Sequence, residues 1–160
     1  MGLRFKVYID GASRGNPGPA AAAMVLADEA GRVLATRTRY LGRRTNNYAE
    51  WAALRAAARV LAHLARRYRK VEAVIYTDSQ LMARQFNGQY RVRNETLRHM
   101  ADAVHRILDS APGLKVRLCH IPREENRLAD AAANRALDLR LRRELRRGDG
   151  SRTGLRTNRG

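Results

Sequence analysis

Cysteine is nearly absent. Cys119 stands alone, which excludes an internal disulfide and a cysteine zinc cluster, and makes a reducing, cytoplasmic setting the expected one. No apolar run approaches the length of a membrane span, and the N-terminus enters a β-prone stretch at once, without a signal-peptide pattern. Acids are scarce, 15 against 32 basic residues, and the net charge of +17 argues for a polyanionic partner. Composition alone does not choose between nucleic acid and an anionic membrane surface. What is present suffices for one globular domain: 160 residues, 44% of them hydrophobic, can bury a core.

The apolar run 5–9 reads as a strand. It ends in Asp10, and the turn Gly15-Asn16-Pro17-Gly18-Pro19 soon follows, so Asp10 is expected where a strand leaves the sheet. Residues 20–27 and 32–41 read as two further strands around a short reversal at 28–31, which makes an antiparallel meander. Residues 48–64, rich in Ala and Leu and free of Gly and Pro, predict a helix with a solvated basic end at Arg66, Arg67, Arg69 and Lys70. A fourth strand over 71–77 ends in Asp78, and a helix runs from Ser79 to about Asn87. Asn94 caps the next helix, 114–121 is the last strand, and a final helix starts near Asn126.

Because acids are few, their positions are informative. Glu50 falls on the stripe of Leu54, Ala57, Leu61 and Leu64, and Asp130 shares a face with Leu137 and Leu141. A carboxylate turned toward a core is costly unless paired. Local roles are available to each: a turn residue for Asp10, a capping box with Asn47 for Glu50, a helix cap for Asp78 and an ion pair with Arg127 for Asp130. Two helices and two strand ends placing carboxylates in this way point instead to a shared cation. Hard oxygen donors without cysteine favour Mg²⁺ or Mn²⁺ over zinc. On a basic protein such a cluster suggests metal-assisted phosphodiester chemistry.

Four segments occur in order: Tyr8-Ile9-Asp10-Gly11-Ala12-Ser13-Arg14-Gly15-Asn16-Pro17-Gly18-Pro19, Thr45-Asn46-Asn47-Tyr48-Ala49-Glu50, Tyr76-Thr77-Asp78-Ser79-Gln80, and the stretch from Pro122 through Asp130 to Asn134. Over residues 4–138 the chain resembles type 1 ribonuclease H (ribonuclease HI). The resemblance implies an α/β ribonuclease H-like fold, a five-stranded mixed sheet flanked by helices. It also implies endonucleolytic cleavage of the RNA strand of RNA–DNA hybrids, leaving 5′-phosphate and 3′-hydroxyl ends. Two Mg²⁺ or Mn²⁺ ions, roughly 3.5–4 Å apart in two-metal sites, would be held by Asp10, Glu50, Asp78 and Asp130. Asn16 and Thr45 would meet backbone phosphates, Asn46, Asn47 and Gln80 the minor groove and 2′-hydroxyls, and Ser13 would be a further substrate-binding residue. His120 or Arg123 would take the auxiliary role that a loop histidine plays in many members.

Residues 88–94 are too short for the basic protrusion of some members, and no N-terminal hybrid-binding module is seen. The expected form is therefore compact: a catalytic domain over 1–140 and an arginine-rich extension over 141–160, helical to about Arg147 and disordered beyond, which binds phosphates non-specifically. A monomer acting on the hybrid is expected, with double-stranded RNA as a second possible substrate and no membrane role. Two rivals are a nuclease of the same superfamily acting on another nucleic acid and a non-catalytic binding module. Four retained acids argue against the latter, since an anionic cluster gives nothing to a protein that only holds phosphate.

Overall fold

The structure is a computed structural model that describes residues 2–153. Strands β1 (Leu3–Ser13), β2 (Gly18–Asp28) and β3 (Val33–Arg44) form the meander, followed by helix α1 (Asn46–Tyr68). Then come β4 (Val71–Thr77), α2 (Gln80–Phe86), α3 (Glu95–Asp109), β5 (Leu114–His120), a 3₁₀ turn over Arg123–Glu125, and α4 (Arg127–Thr153). The sheet order is β3-β2-β1-β4-β5; the β1, β2 and β3 pairings are antiparallel, and β4 joins β1 and β5 in parallel. Among the described residues no helix is long and apolar enough to cross a membrane.

Burial explains the strand sequences. β2 reads Gly-Pro-Ala-Ala-Ala-Ala-Met-Val-Leu-Ala-Asp and is buried on both faces, so it shows no polar alternation. Its Ala22, Met24 and Leu26 join Val7, Ile9 and Ile75 beneath α1, whose Trp51, Leu54 and Leu61 are fully buried. α4 packs against β1, β2 and β3 through the buried Ala129, Ala133 and Leu137. β3 lies at the sheet edge, is mostly exposed and carries Arg37, Arg39, Arg43 and Arg44, charges that discourage edge-to-edge pairing.

Three local expectations change. Asp10 is not at a strand end: β1 continues through it to Ser13, because its partner β2 stays paired with it as far as Ala20. α1 is capped by Thr45, whose hydroxyl oxygen accepts from Tyr48 N at 3.2 Å, so Asn47 lies inside the helix and forms no capping box with Glu50. α4 continues past Arg147 to Thr153, through Gly148 and Gly150, while residues 154–160 of the expected disordered tail lie outside the described residues. The segment between α2 and α3 carries no helix, and Asn94 caps α3 as expected, accepting from Leu97 N at 3.1 Å.

Candidate active site

The site opens where the parallel ladder of β1 and β4 stops. Their last pair is Tyr8 with Tyr76, whose rings stack at 5.1 Å, and Asp10 and Asp78 each stand two residues further on. Beyond that point β1 stays bonded to β2 while β4 gives way to α2, so the two carboxylates flank a fork.

Gly11 supplies the third. A Cβ there would stand 2.4 Å from Ala49 C and Glu50 N. Its absence lets α1 rest its backbone on β1 and bring Glu50 beside Asp10. Carboxylate oxygens of Asp10, Glu50 and Asp78 all lie within 4.8 Å of one another. Asp10 and Glu50 are buried, and Glu50 Oε2 has no hydrogen-bond partner.

Electrostatics register the crowding. Burial, then the Asp78 charge, pushes the Asp10 carboxyl up to about 7. Burial, then Asp10, holds Glu50 well above the usual carboxylate range. Asp78 is raised by burial, against which the Arg123 charge and the Asn126 amide act. Three oxygen donors converge without a buried cation between them, and one oxygen is orphaned. This donor set fits a hard divalent ion.

Asp130 lines the same cleft, of about 560 Å³, but lies outside the trio. Its Oδ1 accepts from Asn134 Nδ2 at 3.1 Å and stands 3.8 Å from Arg123. The local alternative for Asp130, an ion pair with Arg127, is thus not the one that forms: its partner is Arg123, in the 3₁₀ turn just before α4. Arg14 donates to Asn134 Oδ1 at 3.2 Å and to Asp138 at 2.9 Å, tying the β1–β2 loop to the same helix.

Asn16, Asn46, Asn47 and Ser13 also line the cleft. Asn16 Oδ1 accepts from Asn46 N at 3.0 Å, and Asn47 Oδ1 is buried without a partner. The Ser13 hydroxyl faces the Gly15 carbonyl and lies 2.9 Å from that of Arg44, a loop-fastening arrangement. Thr45 is the α1 cap, and Gln80 is exposed at the first turn of α2; neither is among the residues lining the cleft. Of the two auxiliary candidates, Arg123 lines the cleft, whereas His120 is exposed at the end of β5, opposite Thr77.

Asn126 has no role that sequence alone suggests. It is fully buried, and its Nδ2 donates to the Ile9 carbonyl at 2.8 Å, one residue before Asp10, while its amide also lowers the Asp78 carboxyl. A polar residue directly before the Ala129-Ala133 face is the signal that could have marked it.

A five-stranded sheet of this order with carboxylates at the β1/β4 fork defines a ribonuclease H-like domain. Residues 8–136 match the family described as reverse transcriptase-like. Ribonuclease HI of Halobacterium salinarum is 39% identical over 137 residues, which cover 86% of this chain and 66% of that protein. The bifunctional protein Rv2228c of Mycobacterium tuberculosis is 31% identical over 137 residues, or 85% of this chain and 36% of that protein. The chain therefore spans less than two thirds of these curated relatives. LC11-RNase H1 in complex with an RNA/DNA hybrid superposes with a TM-score of 0.76 at 37% identity, over 86% of this chain and 99% of that one. The chain belongs to the type 1 ribonuclease H family.

Proposed function

We propose that this chain is an endonuclease that hydrolyses the RNA strand of RNA–DNA hybrids. The observation that carries the reading is the trio Asp10, Glu50 and Asp78, with oxygens within 4.8 Å, on a protein of net charge +17. A purely binding protein would repel phosphate there. Mg²⁺ or Mn²⁺, two per site, would neutralise the trio and the phosphate and activate water.

The chain's own residues position the reaction. Asp10, held by the Gly11 N–H at 2.9 Å on Oδ1, and Asp78 fix opposite sides of the fork, and Glu50 closes it from α1. Asp130 forms the outer wall, oriented by Asn134. Water oxygen bonds to phosphorus, releasing a proton to solvent, as the bond to the 3′-oxygen breaks. The 3′-oxygen takes a proton from solvent, leaving a 5′-phosphate and a 3′-hydroxyl. Arg123, at the rim, offsets negative charge beside Asp78 and Asp130 and assists product departure, the role for which His120 is the weaker candidate.

Asn16 and Thr45 hold backbone phosphates, and Ser13 keeps their loop in place. Asn46, Asn47 and Gln80 read groove edges and 2′-hydroxyls, since an amide both donates and accepts. End analysis tests the chemistry. Products should gain a radiolabel from polynucleotide kinase only after phosphatase treatment and should extend from their 3′ ends with a polymerase; 2′,3′-cyclic phosphate ends would contradict it.

A further inference from the structure

A second anion site lies away from the carboxylates, between edge strand β3 and α1. Arg37 and Arg39 stand opposite Met24 and Ala22 of β2, both in the core beneath α1, so strand alternation puts the two arginines on the α1 face. Arg55 and Arg59, one turn apart on α1, meet them across a recess of about 170 Å³. Its floor is made of small residues, including Ala22, Ala52 and Ala56, which leave a hollow where larger side chains would fill it.

Among the described residues none of the four arginines has an ion-pair partner; the acids that do form ion pairs form them with other arginines. Four guanidinium groups around one hollow repel one another, and like charges at i,i+4 destabilise a helix. An anion resolves the repulsion, and guanidinium forks match phosphate oxygens in pairs.

We propose that this recess is a second phosphate-backbone site, which grips duplex outside the catalytic cleft; the inference rests on the hybrid-nuclease reading. Position selects the ligand. Glu50 is in the cleft, and at ~1.5 Å per residue Arg55 and Arg59 stand about 7.5 and 13.5 Å further along the same helix. A duplex carries one charge per ~1.7 Å of axis, so a duplex longer than the cleft brings several phosphates within that distance.

The test compares hybrids of about 8 and about 24 base pairs, bound in EDTA across a salt series. R55Q/R59Q and R37Q/R39Q should each weaken the longer hybrid about tenfold and lower its log–log salt slope by about 2. Both should leave Mg²⁺-dependent cleavage of the shorter hybrid within about twofold, because the cleft itself is untouched. Removing mutually repelling charges should leave the low-salt melting temperature unchanged or raised, which separates a weaker grip on phosphate from a damaged fold. R98Q/R106Q on α3 removes equal charge elsewhere and should leave the slope unchanged.

Equal loss in that control would overturn the proposal in favour of general charge. So would unchanged binding of the longer hybrid. If, in addition, inorganic phosphate raised the melting temperature of the wild type but not of R55Q/R59Q, the recess would hold a free anion instead. A wild type that failed to cleave either hybrid, yet showed the slope change, would sink the proposed reaction and leave the recess standing.

Discussion

Asp10, Glu50 and Asp78 all keep their protons to higher pH than free carboxyls do. Groups that bind protons more tightly when folded contribute stability at low pH, fully present below the unfolded value and lost as pH rises through the folded one. For Asp10 that window runs from 3.8 to about 7. In EDTA this contribution should therefore fall between pH 4 and 8, and Mg²⁺ should restore more stability at pH 8 than at pH 5, as read by calorimetry; the opposite order would contradict the electrostatic account. Asp10→Asn should raise the EDTA melting temperature at pH 8 by about 2–4 °C, on the order of 1 kcal/mol. The same variant should lose about 10³-fold or more in turnover, or ~4 kcal/mol of barrier. Asp130→Asn should cost far less in the same assay, because Asp130 stands outside the trio and an amide oxygen can still accept from Asn134. Equal losses would place Asp130 with the other three.

The packing of α1 on β1 is where an element positions the chemistry. Gly11→Ala would drive a Cβ into the Ala49–Glu50 backbone, and neither strand nor helix can yield locally. The expected cost is about 1–3 kcal/mol of stability, with a fall in turnover larger than the loss of folded protein explains, since Glu50 moves away from Asp10; a wild-type melting curve would show that α1 is not seated through Gly11. This packing also marks how far the sequence was legible. Glu50 on the stripe of Leu54, Ala57 and Leu61 announced a core-facing carboxylate, and periodicity and caps placed β4, β5 and α3 well. Glycine announces nothing about what it touches, so the close approach at Gly11 stayed hidden. Asp10 reads as a strand end because the Gly-Asn-Pro turn, a local signal, outweighs the β2 partner that carries β1 to Ser13. Asn126 and the Arg123–Asp130 pairing depend on how the 3₁₀ turn returns the chain to the fork, a tertiary fact with no sequence period.

At the scale of the whole molecule, most of the positive charge lies outside the acidic cleft, whose lining includes one basic residue, Arg123. The far half of α4 bears Arg140, Arg142, Arg143, Arg146 and Arg147, and with Leu145 71% exposed it has no buried stripe there. Among the described residues its base is fastened by Arg140 over the Tyr40 ring at 4.7 Å. Truncation after Leu139 should therefore weaken hybrid binding and flatten its salt dependence, by about 0.9 in log–log slope for each phosphate no longer neutralised. Unchanged affinity and slope would reduce the extension to a solubility feature. The most direct test of the central claim is cleavage of an end-labelled RNA–DNA hybrid by the full chain in Mg²⁺, Mn²⁺ and EDTA, beside Asp78→Asn. RNA-strand cutting that needs a divalent ion and disappears in the variant is the predicted result; hybrid binding without cutting in either metal, or cutting that survives Asp78→Asn, would contradict it.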